Sequence, residues 1–187
     1  IFPGMSASLE GKIAIVTGGS RGIGRAIAAA FLQKGIQVAI TGVNRDHLQQ
    51  AEAELSRVAS SGARVLAFAA DVRDHLAVQS FVDETARRLG GLDILVNNAG
   101  IGWFGSVESQ DHDDWRRVMD TNVTGVFNCC KASIPHLRRR GGGWIVNISS
   151  LAGTNPFIGG ASYCASKAAL DAFSEALMQE VRYDGIR

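Results

Sequence analysis

The stretch "KIAIVTGGSRGIGRAIAAAF", Lys12 to Phe31, decides the fold. Ile13 to Val16 form an apolar run without in/out alternation, which suits a strand buried on both faces. Glycines then fall at positions 18, 19, 22 and 24, with Ser20 and Arg21 among them. From Gly22 to Lys34 the pattern turns helical. A strand that ends in small residues and opens a helix lets the backbone turn tightly, and it presents free N–H groups and the positive end of a helix dipole to an anion. An ordinary strand-to-helix turn needs one glycine, and this one has several.

The same alternation continues along the chain. "IQVAI", "RVLAFAA", "LDILVNN" and "WIVNISS" read as further strands, with helices expected over Arg45–Ser60, Asp74–Leu89, Asp113–Arg139 and Ser162–Tyr183. Asn44, Asp74 and the acids from Asp111 to Asp114 are the expected helix caps. Strands alternating with helices imply right-handed crossovers, so the fold class is α/β: a doubly wound, Rossmann-like parallel sheet with helices on both faces. "GIR" at Gly185 to Arg187 repeats the glycine-then-strand opening used earlier, so a sixth strand is expected to begin there and the natural chain to continue. "IFPG" before Met5 is expected to be a cloning remnant. No linker or repeat divides the chain, and a single domain over 1–187 is expected.

The composition narrows the functional classes. With 46% hydrophobic residues in 187, the chain can bury a sizeable core. Its net charge of +1 gives no sign of a nucleic-acid or membrane partner. "RRRGGG" at Arg138 to Gly143 is read as a cationic helix end followed by a glycine stop. No apolar run approaches the ~20 residues that span a bilayer. Three cysteines without CxxC spacing point to a reducing, cytoplasmic compartment, and four scattered histidines leave no expected metal site.

At the first crossover of such a sheet, the glycine turn is a dinucleotide site. The usual acid about 20 residues further on, which holds ribose hydroxyls of NAD, is missing, and Gly42 stands at its place. With no carboxylate to repel a 2′-phosphate, and with Arg21 and Arg45 in reach, NADP (NADPH) is favoured over NAD.

Tyr163 and Lys167 stand four apart on a predicted helix, so they share a face. An ammonium beside a phenol favours the phenolate, whose parent pKa is ~10, and so makes a usable acid or base near neutral pH.

"TGGSRGIG", Asp71–Val72, "NNAG" at Asn97 to Gly100, "TNVTG" around Asn122, "ISS" ending at Ser150 and "YCASK" at Tyr163 to Lys167 occur in one order and spacing. In these motifs the chain resembles the short-chain dehydrogenases/reductases from Leu9 to Arg187, and most of all their 3-oxoacyl-[acyl-carrier-protein] reductase-like members. The resemblance implies a hydride exchange between nicotinamide and a carbonyl or secondary alcohol. It implies Tyr163 as proton donor, Ser150 as the group that orients the substrate oxygen, Lys167 as partner of both tyrosine and ribose, and Asn122 as the link from the lysine to a relay water.

On the cofactor side the resemblance implies Gly18, Ser20, Arg21, Gly22, Ile23 and Gly24 around the pyrophosphate. Asp71 and Val72 would lie on adenine, Asn98, Ala99 and Gly100 along the cleft wall, and Tyr163 and Lys167 at the nicotinamide. The serine preceding Ser150 points to the opposite face of an extended strand. Asn97 would brace the sheet. Trp103 and Phe104 would either border the substrate cleft or pack under the next helix, and "TNPFIGGAS" at Thr154 to Ser162 would form part of the substrate mouth.

The expected partners are a small carbonyl or alcohol substrate and further copies of the chain, as a homodimer or homotetramer. Best matched is 3-oxoacyl thioester reduction. Sugar, polyol or steroid oxidoreduction stays open, as does a truncated, non-catalytic nucleotide-binding or assembly module.

Overall fold

The computed structural model describes residues 9–60 and 62–187, so the expected cloning remnant at 1–4 lies outside the described residues. Five parallel strands form one sheet: β1 (Ile13–Thr17), β2 (Gln37–Gly42), β3 (Val65–Ala69), β4 (Ile94–Asn97) and β5 (Trp144–Asn147). Their order is β3-β2-β1-β4-β5, so the chain steps outward from β1 to one edge and then crosses back to the other side. Helices α1 (Gly22–Gln33), α2 (Arg45–Val58), α3 (His75–Leu89), α4 (His112–Met119), α5 (Gly125–Arg139) and α6 (Ala161–Val181) make the connections. This is the doubly wound arrangement that the alternating pattern predicts.

The apolar runs sort onto two faces by strand parity. Ile13 and Ile15 join Ala39, Leu66 and Leu95 against Val78, Phe81 and Val82 of α3, Cys129 of α5 and Leu170 of α6. Ala14 and Val16 join Val38, Ile40 and Val96 against Ala28 and Leu32 of α1 and Leu48 and Leu55 of α2. The central strands therefore run apolar on both parities, up to the polar residues Thr17, Thr41 and Asn97 near their C-terminal ends, because each parity serves a different helical layer. β5 is half-buried and partly exposed, as its edge position requires.

At the far end of the sheet from the glycine turn, buried Asp93 accepts from Ile13 N at 2.9 Å, Lys12 Nζ at 3.2 Å and Arg140 Nη2 at 3.1 Å. Burial alone would raise its carboxyl. Arg140, the Ile13 N–H and Lys12 outweigh that effect and hold it below the ordinary carboxylate value.

Beside β5 the chain ends by extending the ladder. Ile186 forms an isolated parallel bridge with Gly143, while Arg187 N donates to Gly143 O at 3.0 Å and Ile145 N donates to Arg187 O at 2.8 Å.

Two caps act as predicted. Asn44 accepts from His47 N, and Asp74 accepts from Leu76 and Ala77 N. Asp111 precedes α4 without capping it through its side chain.

The single helix expected over Asp113–Arg139 is instead two α-helices joined by a π turn, Asp120–Thr124, in which Gly125 N–H reaches back five residues to Asp120 O. π turns of this kind occur mostly as single-turn bulges, often at functional sites. Asn122 lies inside it.

Candidate active site

Where β1 ends, Thr17 is 1% exposed and its Oγ1 accepts from both Asn98 N and Ala99 N at 3.0 Å. The Asn98 side chain returns the connection, its Nδ2 donating to Thr17 O at 2.9 Å and Gly18 O at 3.3 Å. The glycine turn and the loop after β4 are thus one hydrogen-bonded unit. Asn98 therefore uses its amide to brace the turn, leaving the backbone of Ala99 and Gly100 on the cleft floor.

Two glycines allow that closeness. Gly18 has φ of +63°, and a Cβ on Gly24 would stand 2.4 Å from Asn98 Nδ2 and 2.5 Å from Gly18 O. Gly22 also has a positive φ, +55°, as the chain enters α1.

Above this unit lies a cleft of about 810 Å³. Gly18, Ser20, Arg21 and Ile23 line one side, Asp71 and Val72 another, and Asn98, Ala99 and Gly100 the floor. Ile23 is 66% exposed there, an apolar side chain offered to a ligand. Gly42 also lines it, with Ser20 Oγ 3.2 Å from where a Gly42 Cβ would be, so Ser20 occupies the space a longer side chain would need. Arg45, the exposed first residue of α2, is not among the lining residues, whereas Asn44 and His47 are. Gly22 and Gly24 shape the turn from outside the lining.

Asp71 is already engaged. Its carboxylate takes Arg73 Nε on both oxygens at 3.0 Å, pairs with the Nη2 of the same guanidinium, and accepts Arg73 N. The Arg73 side-chain hydrogen bonds hold its carboxyl below the ordinary value against the opposing effect of burial. Asn128 Nδ2 donates to Val72 O at 3.0 Å, and Gly125 leaves room for the Val72 side chain.

Asn122 is 1% exposed. Its Oδ1 accepts Ile101 N at 2.9 Å, and its Nδ2 donates to Ile101 O at 2.8 Å and Ser166 Oγ at 2.9 Å. The π turn thereby couples the loop after β4 to α6. Ser166, which sequence reading did not single out, joins the two by also donating to Tyr163 O.

Tyr163 and Lys167 share one face of α6, with Lys167 Nζ 5.8 Å from the centre of the Tyr163 ring. The lysine is 6% exposed and its Nζ donates to Ile148 O at 2.7 Å. Burial pushes the Lys167 ammonium below its ordinary value, and the Asp171 carboxylate one turn later works against that.

Ser150 stands at the start of a short 3₁₀ turn, Leu151–Gly153, where its Oγ accepts Ala152 N at 3.2 Å. That turn lies on α6: a Cβ on Gly153 would come within 3.1 Å of the Lys167 backbone. Ser149 belongs elsewhere, as strand alternation predicts. Its Oγ is buried without a hydrogen-bond partner among the described residues, and it lines a separate cavity of about 480 Å³ with Asn147 and Asp171.

Asn97 does brace the sheet, its Nδ2 donating to Asn147 Oδ1 at 2.8 Å across to β5. Of the two aromatics after β4, Phe104 lies against Tyr163 with ring centres 5.8 Å apart, and Trp103 folds over Gly105.

A model of short chain dehydrogenases matches residues 12–187. The chain belongs to the short-chain dehydrogenase family. Among its curated relatives, a 3-oxoacyl-[acyl-carrier-protein] reductase of Chlamydia muridarum is 38% identical over 183 residues, which are 98% of this chain and 73% of that protein. A glycine betaine reductase of Emericella nidulans is 37% identical over 179 residues, 96% of this chain and 14% of that much longer protein. A solved NAD⁺-bound xylitol dehydrogenase superposes with a TM-score of 0.91 at 34% identity, covering 96% of this chain and 68% of the other. Membership in this family implies a nicotinamide cofactor and chemistry at a carbonyl or alcohol carbon. Among the described residues no helix is long and apolar enough to cross a membrane, and no group of side chains could hold a metal ion.

Thr17 and Ser166 are the supports of the candidate site that its local sequence did not single out. Thr17 had a signal: a hydroxyl residue closing an otherwise apolar strand, where it must be buried and therefore bonded.

Proposed function

We propose that this short-chain dehydrogenase is an NADPH-dependent carbonyl reductase, with a 3-oxoacyl thioester as its best-matched substrate. One observation carries the reading. A buried lysine, tied to Ile148 O, stands under a tyrosine ring on the same helix, and the loop that packs on that tyrosine continues directly from the cleft floor at Gly100 to Gly102. The cleft fits the cofactor: its glycines leave no side chain between backbone and ligand, and the N-terminus of α1 faces it. When bound, NADPH supplies a hydride to the carbonyl carbon.

The protein's own residues then handle the oxygen and its proton. In this reading Ser150 hydrogen-bonds the carbonyl oxygen, and Tyr163 passes its phenolic proton to it as negative charge develops there. Lys167 holds positive charge beside the phenolic group and offers N–H donors to ribose hydroxyls, while Asn122 fixes the loop and helix that carry these groups. Gly18, Ser20, Arg21 and Ile23 meet the pyrophosphate end, in a turn whose shape Gly22 and Gly24 permit. Val72 covers adenine. Because Asp71 is committed to Arg73, the pair would meet the adenine edge together.

The preference for NADPH is supported by Arg21 in the cleft and by Gly42, where Ser20 fills the space of the acid that would hold an NAD ribose. A homodimer or homotetramer is supported by Trp115 of α4 and Phe127 of α5, 42% and 47% exposed on consecutive helices. The stripe Ala169 to Met178 contributes less to such a face, since Leu170, Phe173 and Leu177 pack into the protein's own core.

The test is the initial rate of NADPH oxidation, against NADH, with an acetoacetyl thioester and with Tyr163→Phe. The reading requires a rate that falls about 10²–10⁴-fold in the variant while the cofactor dissociation constant stays within about twofold. Equal loss of binding and turnover would refute the assignment of Tyr163.

A further inference from the structure

The loops after β4 and β5 meet over Tyr163, and they meet through aromatic rings. Phe104 and Phe157 stack with centres 6.1 Å apart and planes 29° from parallel, and Phe104 tilts against Tyr163 at 5.8 Å and 60°. Both rings are seated on glycines. A Cβ on Gly102 would lie 2.7 Å from Phe104 Cζ, and one on Gly160 would lie 2.5 Å from Phe157 Cε2. The loops are also joined through the main chain, Gly105 N donating to Gly159 O at 2.8 Å.

This makes a built feature rather than two stray surface aromatics. The rings keep their outer faces open, Phe104 at 64% and Phe157 at 49% exposure, with Ile158 fully exposed beside them. Neither Gly100–Val107 nor Leu151–Ser166 contains a charged residue. A polyhydroxylated substrate would find few partners on such a wall, and burying its hydroxyls unpaired would cost affinity.

We propose that the Phe104–Phe157 pair is the specificity wall of the substrate site, selecting ketones whose carbonyl carries an apolar alkyl or aryl group over ketones flanked by hydroxyls. The proposal rests on the carbonyl-reductase reading and adds the substituent that reading leaves open. An apolar group against the wall loses water from both surfaces, so kcat/KM rises about fourfold per methylene along a 2-alkanone series until the chain outgrows the pair.

The experiment compares acetophenone with hydroxyacetone, with NADPH, on the full chain and on its Phe104→Ala, Phe104→Leu and Phe157→Ala variants. The wild type should favour acetophenone. Phe104→Ala should reduce the ratio of the two kcat/KM values about tenfold, ~1.4 kcal/mol, Phe104→Leu less because it keeps an apolar side chain, and Phe157→Ala in the same direction. A wild type that favours hydroxyacetone, or variants that lower both constants in parallel, would overturn the wall.

Binding of 1-phenylethanol in the presence of NADP⁺, followed by calorimetry, reads the wall without turnover. If neither ketone is reduced but Phe104→Ala weakens this binding about tenfold, the wall stands and the reductase reading fails. If the alcohol fails to bind the wild type, or binds the variant as tightly, the wall fails whatever the turnover.

Discussion

Replacing Thr17 by Val isolates the joint between the glycine turn and the loop after β4. The two side chains have nearly the same shape, so little packing is lost. What disappears is the Oγ1 that accepts Asn98 N and Ala99 N, both at 3.0 Å, from a position 1% exposed. Each buried N–H left without a partner costs about 1–3 kcal/mol, so two cost about 2–6. Some rearrangement toward solvent at the cleft will reclaim part of this, and about 3 kcal/mol is expected.

With a urea slope of ~2 kcal/mol/M, the unfolding midpoint falls by about 1.5 M. Thr17→Ser is the matched control. It keeps the acceptor and loses one methyl group, about 0.8 kcal/mol, or about 0.4 M. Because the orphaned groups belong to the cleft floor, the Val variant should also bind cofactor more weakly than the Ser variant. A Val midpoint within 0.3 M of wild type, or one equal to that of Ser, would mean that Thr17 is not the joint.

Three further outcomes follow from features of the same fold. Gly24→Ala puts a methyl group 2.4 Å from Asn98 Nδ2 and 2.5 Å from a backbone oxygen; overpacking of about 1–3 kcal/mol and at least a tenfold loss in cofactor affinity are expected by fluorescence titration, and unchanged affinity would contradict the tight turn. Asp93 has its carboxyl held below the ordinary value, so its contribution is fully present above the unfolded pKa of ~3.9 and is lost as pH falls through the lower folded value. Asp93→Asn should therefore be destabilised at neutral pH and show a flatter acid limb in stability-versus-pH curves; parallel curves would refute the linkage. Cys129 and Cys130 are buried, and desolvation pushes the Cys130 thiol up to about 12 and raises Cys129 as well. Native protein should therefore leave both thiols unmodified by a disulfide reagent over the time in which urea-unfolded protein reacts completely, and rapid native labelling by mass spectrometry would count against that burial.

Much of the fold was legible because its strands are short apolar runs serving two helical layers, as Ile13 and Ala14 do on opposite faces of β1. Asn44 and Asp74 marked helix starts because a cap is a local matter between a side chain and the next turn. The glycine turn that borders the cleft was legible for the same reason, since Gly18, Gly22 and Gly24 sit close together in the chain.

The bonds joining distant segments were not. Nothing near Thr17 in sequence reveals that its hydroxyl meets residues 81 and 82 positions away, and nothing near Asp71 says whether its carboxylate is free or held by Arg73. Trp103 and Phe104 were undecidable from their neighbours, because the partner that fixes Phe104, Tyr163, lies in another element.

The π turn between α4 and α5 does more than place Asn122. Each residue advances a helix by about 100°, so one residue of surplus at Asp120–Thr124 rotates everything downstream by that angle. Val126, Cys129 and Leu137 meet the core only in the rotated phase. Were the surplus removed, the helix would run on without interruption, yet Phe127 and its exposed neighbours would sweep toward the interior and the core residues toward water. The widened turn is therefore guarded by buried residues farther along α5, such as Cys129, Ala132 and Leu137. The geometry at Asn122 is thus held by packing elsewhere as well as by its own bonds to Ile101 and Ser166.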